Sequence, residues 1–378
     1  MGRIRSYGDI LLVFLFMAGL CAPALFMVSG IKFRETLTEN RTKAAFPEFN
    51  LKRISQLNLR LVAYIPKFNE YFEDHFTFRD MLIRMNRNIK LRIFKINPFP
   101  EKFVIGRDGW MFLGNEHSKA ISETKGLLNF SEAELDQISI RISESMQFFE
   151  NQGITFYLVI APEKSTVYGE FLPIAKSGKP TKLEQVREKL SGIGCRIVDM
   201  KKDFKKLTDP VIYYKSDSHW NEFGEFLGYQ TLAGEIKRDF PTLRILQSDD
   251  FTIDTIRDYQ GDNAQMLFLP WTDNKYIFSL RDTIPVAELQ KQYTVPESYL
   301  WNPANYERRY GSIGCNLKIL IFNDSFFREM PKFLGPGIKE TVYIWSWWDK
   351  KIILNEKPDI VIYEKTERDI DHLLYRLK

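Results

Sequence analysis

Cysteine and histidine are both scarce in this 378-residue chain, and the two scarcities bound its chemistry. Three cysteines are too few for a disulfide scaffold. Cys21 falls in an apolar N-terminal run. Cys195 and Cys315 each precede a predicted strand, so they can pair only if those strands are neighbours; two unpaired cysteines are the commoner outcome. Four histidines leave few candidates for a general base. Charge of one sign is also lacking. The formal net charge is +4, and no dense basic stripe appears of the kind that tracks a phosphate backbone, which argues against a nucleic-acid partner. No short repeat or low-complexity tract occurs. What remains, 44% apolar and 27% charged residues, is an ordinary globular composition, long enough for one large domain or two modest ones.

The N-terminus departs from that composition. Arg3 and Arg5 precede a run from Ile10 to Ile31 without a charge. Roughly 22 apolar residues suffice to cross a hydrocarbon core of about 30 Å. The basic front predicts an N-terminus held inside and the bulk of the chain outside. The reading is an uncleaved transmembrane helix over residues 1–31, with a signal peptide cleaved near Val28-Ser29-Gly30 as the rival. Leu20 ahead of Cys21 is too bulky for lipoprotein processing.

Residues 32–100 read as an accessory segment. The stretch "ENRTKAAFPEF" has no period, whereas Phe68, Tyr71 and Phe72, then Leu82, Met85 and Ile89, are spaced as on one or two amphipathic helices that pack on the main domain. A hairpin is predicted in "VIGRDGWMFLG", turning at Asp108-Gly109. Residues 101–378 then alternate strands and helices. A helix opens on a capping box at Ser131 and Glu134 and ends at Gly153. Predicted strands are "ITFYLVIAP", "CRIVDM", "VIYY", "LKILIF", "TVYIW" and "DIVIYEK". Predicted helices are "KLEQVREKLSG", "NEFGEFLGYQTLAGEIKRDF" and a terminal "ERDIDHLLYRLK". Continuous β-branched runs between helices specify an α/β fold, a mostly parallel sheet with helices on both faces. Such folds carry their chemistry at the carboxyl ends of strands.

One strand, Leu317–Phe322, stops on Asn323, Asp324 and Ser325. A serine nucleophile on a strand-to-helix turn would explain that ending, and it needs a base and an anion to orient the base. His75 and His372 lie in predicted helices and His117 follows the hairpin. His219, in "YYKSDSHWNEFG", sits between a strand end and a helix with Asp217 two residues away. The bland alternative is helix capping by Ser216, Asp217, Ser218 and Asn221.

Taken together, "SDSHWN", "NDSF", "GWMFLG", "PEKSTVYGEFLP", "TENRTKAAFPEF" and "KPDIVIYEKTER" resemble the alginate O-acetyltransferase family of AlgJ-like and AlgX-like proteins, exported relatives of the SGNH hydrolases. The resemblance runs from about residue 38 to the end. It implies an SGNH-hydrolase-like, flavodoxin-like domain in which an Asp-x-His pair precedes the serine motif, a permuted order. The family's catalytic Asp, His and Ser fall on Asp217, His219 and Ser325. One departure is Asn323, where the family usually has glycine; Asn is the next residue to tolerate positive φ in a tight elbow. Asn323-Asp324-Ser325 is also a glycosylation sequon containing the nucleophile, an arrangement ill suited to a eukaryotic secretory route. Lys164 and Tyr168 match family positions and are candidates to line the site. Trp220 either walls the acyl pocket or staples its helix. Trp345, Trp347 and Trp348 either stack on sugars or belong to the core.

The resemblance implies an O-acetyltransferase acting on an exported polysaccharide, alginate-like or another cell-surface glycan, through an acetyl-serine. Ser325 N–H is the expected oxyanion donor. The implied partner is a membrane-bound O-acyltransferase that relays acetyl groups. The implied location is the bacterial inner membrane, with the catalytic domain in the periplasm. No cofactor and no metal is called for, and no donor-binding motif is present. An esterase with the same triad and water as acceptor is the first rival. A non-catalytic polysaccharide-binding scaffold is the second, and the intact triad residues oppose it. About 50 residues follow Ser325, which fits the AlgJ-like layout rather than the AlgX-like one with its further carbohydrate-binding module.

Overall fold

The computed structural model describes residues 7–29, 43–48, 57–76, 78–204, 210–267, 269–281 and 284–375. The chain divides into two compact units, Met1–Pro98 with Met266–Phe268, and Phe99–Gln265 with Leu269–Lys378.

In the first unit a helix spans Tyr7–Ser29, 23 residues, and its apolar side chains from Ile10 to Met17 are exposed. Among the described residues, no helix is long and apolar enough to cross a membrane; several side chains within Tyr7–Ser29 fall outside that set. Gly30, at the predicted cleavage site, also lies outside the described residues, as do the ends of the stretch 39–49; residues 43–48 within it have no regular structure. Two helices follow, Leu57–His75 and Arg79–Asn88, the second running on into a π-helical turn, Ile89–Ile93. Along the first, Tyr64, Phe68 and Phe72 recur every four residues and their rings stack.

The second unit is built on a seven-stranded sheet. Its strands, with those of two hairpins, are β1 (Phe103–Ile105), β2 (Met111–Leu113), β3 (Thr155–Ala161), β4 (Ile197–Asp199), β5 (Phe251–Tyr259), β6 (Asp273–Leu280), β7 (Val286–Glu288), β8 (Glu307–Ser312), β9 (Cys315–Phe322), β10 (Ile338–Ile344) and β11 (Ile360–Thr366). The order across the large sheet is β4-β3-β11-β9-β10-β8-β7. The first five strands are parallel, and β8 and β7 add an antiparallel edge. Alternation along each central strand fills two cores. Val159, Ile319, Ile321 and Ile362 face the helix Glu222–Asp239, whereas Leu158, Leu320, Phe322 and Val361 face Glu132–Asn151 and Lys182–Ser191. Each such fully buried side chain contributes about 1.5–3 kcal/mol.

The hairpin at Asp108 forms, with Asp108 at φ 54. Both long helices on the Glu132 side begin with capping boxes, Ser131 with Glu134 and Thr181 with Glu184. Gly153, at φ 67, turns the chain from helix into β3. Two predicted elements need correction. "VIYY" is not a strand, for only an isolated bridge joins Tyr213 to Trp220. The terminal helix shrinks to a 3-10 turn, Glu367–Asp369, and a short helix, His372–Tyr375, with residues 376–378 outside the described set. The β5–β6 hairpin and the β7–β8 edge were not foreseen. Cys195 and Cys315 are unpaired. They precede β4 and begin β9, three strand spacings apart, and they pack on opposite cores; at about 4.8 Å per strand no disulfide spans that gap.

Candidate active site

β9 ends at Phe322 because the next residues turn their polar groups to the sheet edge. Asn323 is fully buried and its N–H donates to Ile344 O at 3.0 Å. It is not among the residues at positive φ, so the turn does not need glycine there. The Asp324 side chain caps and braces the turn. Oδ1 accepts from Phe326 N–H at 2.9 Å, and Oδ2 accepts from Thr366 N–H at 2.9 Å and Thr366 Oγ1 at 3.1 Å. Ser325 opens the 3-10 turn Ser325–Phe327, half-buried, while Phe326 and Phe327 anchor the turn in the core. As the first N–H of that turn, the Ser325 amide has no acceptor within it.

Facing Ser325 is the loop that links the Tyr213 bridge to the helix Glu222–Asp239. Lys164 holds this loop from below: it is 2% exposed, and Nζ donates to the carbonyls of Tyr214 at 3.0 Å, Lys215 at 3.2 Å and Asp217 at 2.5 Å. Met111 N–H adds a bond to Lys215 O at 2.9 Å, so the hairpin motif braces the same loop. From the other side Asp273 accepts the N–H groups of Lys215 and Ser216 at 3.0 and 2.8 Å. Gly261 presses against it so closely that a Cβ would lie 2.5 Å from Asp217 N, and no residue with a side chain fits. Asn221 caps the helix that follows, accepting Gly224 N–H at 3.1 Å.

Held in this way, His219 Nε2 lies 2.9 Å from Ser325 Oγ. Its Nδ1 lies 2.8 Å from Asp217 Oδ1. Asp217 Oδ1 also accepts His219 N–H, and Oδ2 accepts Tyr259 O–H at 2.8 Å and Asp262 N–H at 3.0 Å. A second carboxylate stands behind the ring. Asp262 Oδ2 is 3.6 Å from Nδ1 and accepts Ser218 O–H at 2.6 Å. Burial pushes the Asp217 carboxyl up, but its bond to His219, the imidazole charge and two backbone N–H groups outweigh burial and hold it well below the usual range. Burial likewise opposes protonation of His219, and the Asp217 bond and the two carboxylate charges win, raising its pKa. Asp262 is raised, first by burial and then by the Asp217 charge.

Asp217, His219 and Asp262 place ligand-type atoms within 4.8 Å of one another. Those oxygens are already matched to protons on Ser218, His219, Tyr259 and Asn263, so the arrangement suits proton transfer better than a cation. His219 and Ser325 open onto a pocket whose wall includes Trp220, Glu225, Lys275 and Arg328. Glu225 is buried and accepts Glu329 N–H, and burial raises its pKa well above the usual range.

The structure therefore brings Asp217, His219 and Ser325 together, with Trp220 beside them. Trp220 is buried, donates from Nε1 to Phe326 O at 2.9 Å, and so ties the His219 loop to the Ser325 turn while walling the pocket. Lys164 and Tyr168 do not line the pocket. The three protons of Lys164 are spent on carbonyls, and Tyr168 stacks on Trp110 while its hydroxyl accepts Ile212 N–H. Of the indoles, Trp348 is core against Phe149, Trp347 packs on His372, and Trp345 meets Trp301. His75 stacks on Tyr71, and His117 sits by Phe103, its pKa lowered by burial. Tyr259, Asp262 and Asp273 had no local signature, for they reach the loop from the unforeseen hairpin region.

Residues 103–304, just over half of the chain, match the family described as the SGNH hydrolase-like domain, acetyltransferase AlgX. The match ends ahead of Ser325. No curated protein matches in sequence. Among solved structures, Bacillus cereus PatB1 with a sulfonyl adduct is similar at TM-score 0.55 and 16% identity, over 73% of this chain and 99% of that one. The O-acetyltransferase domain of Pseudomonas putida AlgJ is similar at TM-score 0.44 and 17% identity, over 72% of this chain and 92% of that one. Pseudomonas aeruginosa AlgX follows at 0.43 and 15%, over 71% and 62%.

Proposed function

Because the chain belongs to the AlgX family of SGNH hydrolase-like acetyltransferase domains, we propose that it transfers acetyl groups to hydroxyls of an exported polysaccharide through an acetyl-Ser325 intermediate. The observation that carries this reading is the 2.9 Å approach of His219 Nε2 to Ser325 Oγ, with Asp217 on Nδ1 at 2.8 Å. Nε2 takes the Oγ proton as Oγ bonds to the acetyl carbonyl carbon, and the resulting oxyanion accepts Ser325 N–H. The imidazolium, paired with Asp217, returns that proton to the departing alkoxide of the donor. A sugar hydroxyl then gives its proton to Nε2 and attacks the acetyl carbon; Ser325 Oγ leaves and is reprotonated. The serine ends as it began and the acetyl group has changed oxygen.

The donor is relayed by a membrane-bound O-acyltransferase. The run Ile10–Ile31, behind Arg3 and Arg5, anchors the chain in the inner membrane with the catalytic unit in the periplasm. A reporter fused after Lys378 is active only outside the cytoplasm on this reading, and a cytoplasmic signal would overturn it. The activity is tested by incubating the protein with an activated acetyl ester, with and without oligosaccharide. Acetylated oligosaccharide is the expected product. Acetate release indifferent to the sugar would mark an esterase instead.

A further inference from the structure

The reaction leaves unused a pair of indoles at the sheet edge where Ser325 sits. Trp301 is 56% exposed, and its ring meets that of Trp345 edge-on at 5.8 Å and 88°. Trp345 follows the last residue of β10, and its N–H donates to Tyr306 O at 2.8 Å, which fixes it to the segment carrying Trp301. β10 neighbours β9 in parallel, Ile344 opposite Phe322. Trp345 thus leaves the sheet one strand spacing, about 4.8 Å, from the backbone that goes on to Ser325.

Two adjoining clefts lead from Ser325 as far as Asn305, on the segment that carries Trp301. The reaction pocket and a wider second cleft share Arg328 and Glu329 as a common wall. The second cleft continues past Arg308 and Tyr310 of β8 to Asn305. Asn305 donates to Asn302 Oδ1 at 2.9 Å, beside Trp301. Arg308 is fixed by donating to the carbonyls of Phe327, at 3.0 Å, and Arg328. The Arg328 guanidinium makes no hydrogen bond or ion pair among the described residues, which leaves its donors for a sugar oxygen.

We propose that this path is an acceptor track: a linear glycan lies with one sugar at Ser325, passes Arg328 and the Arg308–Asn305 cleft, and stacks a later sugar on Trp301 and Trp345. An indole held at the surface offers a rigid apolar face at low entropic cost, and the C–H face of a pyranose ring is its complement. The remote contact selects long acceptors over short ones without touching the reacting atoms, so it acts on acceptor affinity and not on serine acylation. The inference rests on the acetyl-transfer reading above.

The test compares wild type with Trp301→Ala, a change at an exposed ring, using three readouts: hydrolysis of an activated acetyl ester, transfer to a monosaccharide and transfer to a long oligosaccharide. Ester hydrolysis and monosaccharide transfer should be unchanged, while KM for the long acceptor rises several-fold to about tenfold. An unchanged KM for the long acceptor, or an equal loss with the monosaccharide, would overturn the track. If the variant instead loses only binding to lipid vesicles, the indoles meet a membrane and the track is wrong. Wild-type protein that hydrolyses the ester but transfers to no glycan would refute the transferase reading itself.

Discussion

Replacing Lys164 by methionine separates loop positioning from stability, because the opposing energies can be set side by side. The ammonium serves three carbonyls, of which Lys215 O keeps a second partner in Met111 N–H. Two acceptors, Tyr214 O and Asp217 O, are left without that donor, at about 1–3 kcal/mol each. Against this, burial lowers the Lys164 pKa from 10.5 to about 8, which corresponds to about 3 kcal/mol held against the charged form. The terms largely offset, so Lys164→Met should change stability at neutral pH by between about 1 kcal/mol gained and about 3 kcal/mol lost. Activity should not be spared. Asp217 O anchors the loop that orients His219, and a displacement of about 1 Å there can cost on the order of 100-fold in kcat/KM. Between about pH 8 and 10.5 the unfolded chain holds the Lys164 proton and the folded one does not. Wild type should therefore gain stability over Lys164→Met as pH rises through that window. Thermal midpoints across pH, beside acetyl-ester turnover, read both effects. Unchanged kcat/KM, or a wild type that loses stability relative to Lys164→Met above pH 8, would refute the reasoning.

Further consequences concern charge, capping and core. His219 acts as a base only when neutral, so activity is lost as pH falls through its raised pKa; Asp262→Asn removes one of the charges that raise it and should move the acid limb of kcat/KM to lower pH, whereas an upward shift would contradict the assigned geometry. Asp324→Ala should cost about 0.5–2 kcal/mol for the lost cap and more for the two Thr366 bonds lost with it, seen as a lower thermal midpoint. Trp348→Ala should cost about 3–5 kcal/mol because its ring fills the core against Phe149, while Trp301→Ala should leave the midpoint nearly unchanged.

The parts of the fold legible in the sequence were those whose burial is continuous. β3, β9, β10 and β11 read as unbroken apolar runs because both faces are covered. β5 was missed because nearly all its side chains are exposed. β8, "ERRYGS", was missed because its buried positions are charged: Arg309 is 3% exposed and is neutralised by Glu307, Glu340 and Glu356. Tyr213 and Tyr214 are as apolar as a strand, but Lys164 and Asp273 take the backbone groups around them that a neighbour would have used. For the site, Asp217 and His219 share a loop and Ser325 ends a strand, so spacing exposed them. Asp262 and Tyr259 converge only through the fold.

Ser325 as nucleophile is the centre of this account, and intact-mass analysis with peptide mapping after brief exposure to an activated acetyl ester tests it most directly. A single acetyl group should be found on Ser325 in wild type and should be absent from Ser325→Ala and His219→Ala, both still folded by their thermal midpoints. An acetyl group on another residue, or wild-type turnover by Ser325→Ala, would contradict it.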